Sequence, residues 1–191
     1  MKPVALFFGS FNPIHIGHLA IANWICEFTE MEEVWFVVSP RNPYKEAIEL
    51  GDGEDRLEWV RQSVEGYQKF KVCDIEFSMP RPSYTIDTVL KLKEQYPTHQ
   101  FKIIIGTDNW ERFNGWKSYR QLIDEFGLIV YPRKGYEIDP VTLPNNVVLI
   151  DAPEIDVSST FIRKSIHEGK EMRFFVNKTI YLPIKKKYRI K

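Results

Sequence analysis

The chain has 191 residues, 43% hydrophobic and 27% charged, enough to bury a full core without staples and too apolar for an intrinsically disordered protein. Its 26 basic side chains balance 26 acidic ones, which argues against a protein whose main work is holding long nucleic acid. Cys26 and Cys73 share no Cys-x-x-Cys spacing, so neither a disulfide framework nor a zinc knuckle is expected, and both read as small buried hydrophobes in a reducing compartment.

In chain order, short apolar runs at residues 4–8, 33–38, 71–77, 101–105, 128–131 and 147–150 predict strands, several of them without polar alternation. Helical patterns fall between them at 19–28, 55–67, 84–96, 118–126 and 158–167. Strands this apolar are usually covered on both faces, and strand–helix alternation implies right-handed crossovers. The expectation is an α/β fold: Rossmann-like, doubly wound, a mostly parallel sheet with helices on both faces and a small C-terminal helical segment. One domain spanning residues 1–191 is expected. Residues 40–53 and 133–146 read as long binding loops, and the basic end at 185–191 reads as solvated decoration. No secretory leader pattern opens the chain, and no apolar run approaches the roughly 18 residues of a membrane span. A cytoplasmic protein is expected, with no membrane or nucleic-acid partner; association with further copies of the chain is left open.

In open α/β sheets ligands gather beyond the carboxyl ends of the strands. Polar and small residues recur at those ends: Gly9 and Ser10, Ser39 onward to Lys45, Gly106 with Asp108, Arg133, and residues 156–163. The stretch GSFNPIHIGH, residues 9–18, leaves the first strand with His15 and His18 three apart. A helical zinc motif wants a spacing of four with a glutamate between, so a metal site is not expected there. Capping of the helix start is the plain structural alternative. Gly9, Ser10 and Gly17 let backbone approach a ligand closely and leave N–H groups free for an anion.

That stretch resembles the H-x-G-H signature of the nucleotidyltransferase superfamily, and VSSTFIR at 157–163 resembles the [IV]-S-S-T-x-I-R motif of small adenylyltransferases. SYTIDT at 83–88, IGTD at 105–108 with downstream Phe113 and Trp116, and NPYK at 42–45 are similar to segments of the bacterial nicotinate-nucleotide adenylyltransferases. Phe8, Asn12 and Tyr44 stand where that family more often has Gly, Asp and His. The resemblance implies attack by the phosphate of nicotinate mononucleotide on the α-phosphorus of ATP, giving nicotinate adenine dinucleotide and pyrophosphate in NAD biosynthesis. The amide mononucleotide, another nucleotidyl acceptor and a non-catalytic nucleotide-binding module are the alternatives.

A phosphate monoester is already ionised near neutral pH, so no strong base is required and catalysis is positioning and charge compensation. The resemblance places His15, His18, Lys45 and Arg163 in catalysis. It places Gly9, Ser10, Phe11, Gly17, Gly106, Asp108, Ser158, Ser159 and Thr160 at ATP. Asn42, Tyr84, Thr85, Trp116 and Arg133 fall to nicotinate mononucleotide, Trp116 stacking on its pyridinium ring. A neighbouring triphosphate is expected to favour charged, doubly donating imidazoles. An N-cap role is the competitor for Asp108. Mg²⁺ is expected with ATP, carried on phosphates and waters.

Overall fold

The computed structural model describes residues 1–40 and 52–189. Six strands form one sheet: β1 (Lys2–Gly9), β2 (Glu33–Val38), β3 (Phe70–Cys73), β4 (His99–Gly106), β5 (Leu128–Tyr131) and β6 (Val147–Leu149). Their order is β3-β2-β1-β4-β5-β6, with every neighbouring pair parallel. The expected doubly wound Rossmann-like architecture is therefore the observed one.

Side chains alternate across the sheet and divide the core in two. Ala5, Phe7, Val34, Phe36, Ile104 and Ile129 meet α1 (Ile16–Phe28), α2 (Gly53–Val64), α6 (Ser159–His167) and α7 (Lys178–Tyr188) on one face. Val4, Leu6, Trp35, Val37, Ile103 and Val130 meet α3 (Thr85–Gln95) and the turn Leu122–Phe126 on the other. The strands were legible as unbroken apolar runs because both faces are covered. Short helices α4 (Thr107–Trp110) and α5 (Tyr119–Gln121) complete the described set.

Several elements differ from expectation. The third strand stops at Cys73, and the rest of that apolar run turns into a 3₁₀ helix at Ile75–Ser78. Helix α1 begins at Ile16, immediately after His15, so the histidine motif forms the helix entry. The basic C-terminal stretch is not mere solvated decoration. It continues α7, whose Ile180, Tyr181 and Ile184 are buried despite Pro183 inside the helix; packing of that face outweighs the lost backbone bond. Lys187 pairs with Asp55 and lies over the Trp59 ring, and Lys185 Nζ is 2.8 Å from Glu171 Oε2. Cys26 and Cys73 are free and buried, and burial pushes both thiols up to about 11. Among the described residues no helix is long and apolar enough to cross a membrane.

Candidate active site

β1 has β2 on one side and β4 on the other, so the chain winds away in both directions and leaves a crevice at the carboxyl ends of β1 and β4. Gly9 ends β1 and Gly106 ends β4. Gly106 has no room for a side chain: a Cβ there would lie 2.3 Å from Asp108 Oδ1 and 3.0 Å from Arg133 Cγ. At Gly9 a Cβ would meet the Phe11 ring at 2.9 Å. Above these glycines opens a cleft of about 600 Å³, within the range of small-ligand sites.

The histidine loop forms one wall. Phe11 turns through a positive φ of 43° and buries its ring beneath Gly9, edge-on to His18 at 5.1 Å between centroids. The His15 and His18 rings lie face to face at a 31° tilt, with centroids 3.7 Å apart. His15 is 4% exposed, and burial together with the Arg133 charge pulls its pKa down to about 3. The His15 backbone N–H donates to His18 Nδ1 at 3.3 Å, so a proton on a neutral His18 ring sits at Nε2. The doubly donating imidazoles expected beside a triphosphate would require both rings to take up a proton. Two stacked cations would repel, His15 is too desolvated to charge, and His18 Nδ1 is used as an acceptor.

The second motif reaches the first through backbone. Ser159 Oγ donates to Pro13 O at 2.8 Å, and Arg163 Nη1 donates to Asn12 O at 2.8 Å. Ser158 caps α6, its Oγ accepting from Phe161 N at 3.1 Å, and Ser158, Ser159 and Thr160 also line the cleft. Capping and cleft lining thus coexist at this turn. Arg163 itself is not among the cleft-lining side chains; its guanidinium lies behind the loop, on Asn12. Gly17 packs against the His15 ring, where a Cβ would approach Cε1 and Nδ1 to 3.1 Å.

On the β4 side, Gly106 is the N-cap of α4, which places Asp108 inside the first turn and removes its competing role as a cap. Asp108 Oδ1 is buried without a hydrogen-bond partner, with Arg133 Nε 3.9 Å away. Arg133 N donates to Thr107 Oγ1 at 2.9 Å, which joins the ends of β4 and β5. Arg133, expected at nicotinate mononucleotide, thus stands beside Asp108, expected at ATP, and its charge reaches His15, expected in catalysis. At the other end of the cleft lie Tyr84, Thr85 and Trp116. Lys117 Nζ sits 4.7 Å above the Tyr84 ring and 2.8 Å from Asp87 Oδ2. Asn42 and Lys45, like Tyr44, lie outside the described residues.

A family profile described as cytidylyltransferase-like matches residues 6–165. A protein of Bacteroides fragilis named "Probable nicotinate-nucleotide adenylyltransferase" is 48% identical over 92% of this chain and 88% of its own length. The chain belongs to the nicotinate-nucleotide adenylyltransferase family. A Porphyromonas gingivalis protein of the same name is also 48% identical, over 90% of this chain and 87% of its own. The Plasmodium falciparum nicotinic acid mononucleotide adenylyltransferase, solved complexed with NaAD, superposes with a TM-score of 0.82. At 20% identity, over 98% of this chain and 96% of that one, it speaks for the fold.

Three residues of this family member escaped the sequence reading. Arg56 is fully buried, and its Nη1 donates to Ser10 O and, at 2.8 Å, to Ser39 O, while Nη2 donates to Pro40 O at 2.8 Å. One guanidinium thereby ties the loops that follow β1 and β2. Tyr188, from the last helix, donates to Asn12 Oδ1 at 2.5 Å. Asn12, a departure from the commoner Asp, is thus engaged through both its side chain and its carbonyl. Glu76, on the 3₁₀ turn after β3, borders the cleft with only 2% of its surface exposed. The one signal available was a charged residue between apolar neighbours, at position 76 between Ile75 and Phe77.

Proposed function

We propose that this protein transfers the adenylyl group of ATP to nicotinate mononucleotide, releasing pyrophosphate and forming nicotinate adenine dinucleotide for NAD biosynthesis. The observation that carries the reading is the single cleft at the β1–β4 switch, with the histidine loop and residues 158–160 along one part and Tyr84, Thr85 and Trp116 along another. Its volume suits two nucleotides lying phosphate to phosphate. A single nucleotidyltransferase domain over residues 1–191, working in the cytoplasm and without a nucleic-acid or membrane partner, completes the reading.

In the reaction a phosphate oxygen of the acceptor forms a bond to the α-phosphorus. The bond from that phosphorus to the bridging oxygen breaks, and pyrophosphate leaves with the electron pair. His18 donates its Nε2–H to an α-phosphate oxygen as negative charge builds there, a preorganised donor of the kind that stabilises such transition states. His15 backs the His18 ring as a neutral partner and delivers the N–H that fixes its tautomer. Gly9, Ser10, Phe11 and Gly17 shape the loop so that backbone reaches the phosphates. Ser158, Ser159 and Thr160 bring the α6 N-terminus to the same anions, Lys45 supplies compensating positive charge at the β- and γ-phosphates, and Arg163, bonded to Asn12 O, serves catalysis by holding the loop that meets them.

Asp108 accepts ribose hydroxyls, and Arg133 joins the ATP side through its place beside Asp108. Trp116 stacks on the pyridinium ring. The N–H groups of Tyr84 and Thr85 at the start of α3 receive the nicotinate carboxylate, and Asn42 is assigned to the same substrate. Mg²⁺ enters as MgATP. An ion carried on phosphates keeps several waters and requires few protein ligands.

Pyrophosphate release with MgATP, measured with the acid and amide mononucleotides in parallel, tests the assignment. The acid is expected to be preferred; turnover of the amide alone would overturn the substrate while leaving the chemistry. His18→Ala should lower kcat by about 100-fold or more with ATP affinity nearly unchanged, the mark of an interaction made in the transition state. A normal kcat with lost ATP binding would make His18 a binding residue only.

A further inference from the structure

The acceptor end of the cleft presents a puzzle of charge. Tyr84 is the N-cap of α3 but makes no side-chain cap, so the first N–H groups of that helix are not organised by the usual hydroxyl or carboxylate. A carboxyl group nonetheless lies close behind them. Ser83 Oγ donates to Glu76 Oε2 at 2.9 Å, and Thr88 Oγ1 donates to Glu76 Oε1 at 2.9 Å. A third hydrogen bond comes from the Ser39 side chain at the end of β2. These partners are all hydroxyls. Burying a carboxyl among neutral groups is costly, and a leucine of similar size would fill the space more favourably. Burial pushes its pKa above the ordinary carboxylate range.

The geometry gives the carboxyl a use. Ser83 directly precedes the dipeptide Tyr84-Thr85, and Thr88 follows it within the first turn of α3. The two oxygens of Glu76 therefore grip that dipeptide from both sides. Ser39 fastens the same group to the strand beside β1. We propose that Glu76 is a positioning residue for the acceptor: by holding Ser83 and Thr88 it fixes the Tyr84-Thr85 backbone against which the acceptor's carboxylate docks.

This inference rests on the functional reading above, in which Tyr84 and Thr85 meet the acceptor. The histidine loop has its own anchors in Arg56, Ser159, Arg163 and Tyr188, and Glu76 meets that set only through Ser39. Loss of Glu76 should therefore loosen one substrate and spare the other.

Steady-state kinetics of Glu76→Ala, Glu76→Gln and Thr88→Val with MgATP and nicotinate mononucleotide test it. For Glu76→Ala the acceptor KM should rise about tenfold or more, with the ATP KM within about twofold and kcat within about threefold. Glu76→Gln, which keeps one acceptor and adds a donor that a hydroxyl oxygen can receive, should recover most of that loss. Thr88→Val, close to isosteric, should raise the acceptor KM about threefold, and it stands in if Glu76→Ala fails to fold. Equal rises in both KM values, or unchanged kinetics in a less stable protein, would overturn the inference. A wild-type protein inactive with the acid mononucleotide would instead remove the functional reading, and this inference with it.

Discussion

The loop at residues 9–18 and the segment at 83–88 line the same cleft, yet they are held by different chemistry. Donors from Arg56, Ser159 and Arg163 reach the backbone carbonyls of Ser10, Pro13 and Asn12, and Tyr188 holds the Asn12 side chain. Those donors come from α2, α6 and α7, as far as 176 residues away in the chain. The segment at 83–88 is held by hydroxyls on one buried carboxyl and, at the surface, by Lys117 against Asp87. The loop at 9–18 is bonded from three separate helices, the segment at 83–88 through one buried side chain, so the loop that meets the phosphates is the stiffer of the two. A reaction governed by phosphate geometry requires that stiffness where bonds change at phosphorus, and tolerates a softer grip on the acceptor ring.

Breaking the stiff side should have the largest effect. Arg56→Ala strands three buried or partly buried carbonyls that now receive a cation, and it should cost about 3 kcal/mol or more in urea unfolding, with kcat falling alongside stability. Arg56→Lys, a single-point cation in place of a planar fork, should recover only part of this. If the variant unfolds like wild type, the loop is not anchored there.

Acid sharpens the same comparison through His15. Its folded pKa, about 3, lies below the ordinary 6.5, so between those values the unfolded chain binds the proton that the folded one refuses. Stability contributed by the neutral ring is complete above pH 6.5 and is lost as pH falls from there toward 3, by up to about 1.4 kcal/mol per pH unit from this site. His15→Gln should flatten that part of the stability–pH curve. An unchanged slope would mean that the ring charges without opening the loop.

The softer side should respond least. Lys117 and Asp87 are about half exposed, with side-chain exposures of 48% and 42%, so Lys117→Met should cost less than about 1 kcal/mol in thermal unfolding. A loss as large as that for Arg56 would erase the distinction between the two sides.

How much of this was readable in the chain varies with the kind of feature. The strands at 33–38 and 128–131 appear where their apolar runs lie, because a strand covered on both faces needs no polar alternation. Continuing the third strand to residue 77 failed because the chain turns at Ile75–Ser78, sending Ile75 to one core and Phe77 to the edge of the other, a packing choice that periodicity does not encode. Helix α7 was masked by Pro183 and three lysines, and its formation depends on Ile180, Tyr181 and Ile184 finding the core. In the cleft, Gly9, Ser10, His15, His18, Gly106 and Asp108 could be picked out in advance, since small residues and unusual polar groups cluster at strand ends, whereas Tyr84, Thr85 and Trp116 came only from the family resemblance of their motifs. Arg56 and Tyr188 could not be, because each touches the site through groups distant in sequence, and Glu76 was hidden in a stretch that reads as strand but turns into a 3₁₀ helix.

The sequence by itself determined the order of strands and helices, the sheet edge where ligands gather and the residue types placed there, since these follow from local periodicity and from short motifs. Only the tertiary structure decided the protonation of His15, the tautomer of His18, the withdrawal of Arg163 behind the loop and the anchors that Arg56, Glu76 and Tyr188 supply. The reason is physical: burial and hydrogen-bond partners set both the charge and the orientation of a side chain, and those are properties of neighbours that the fold, not the chain, brings together.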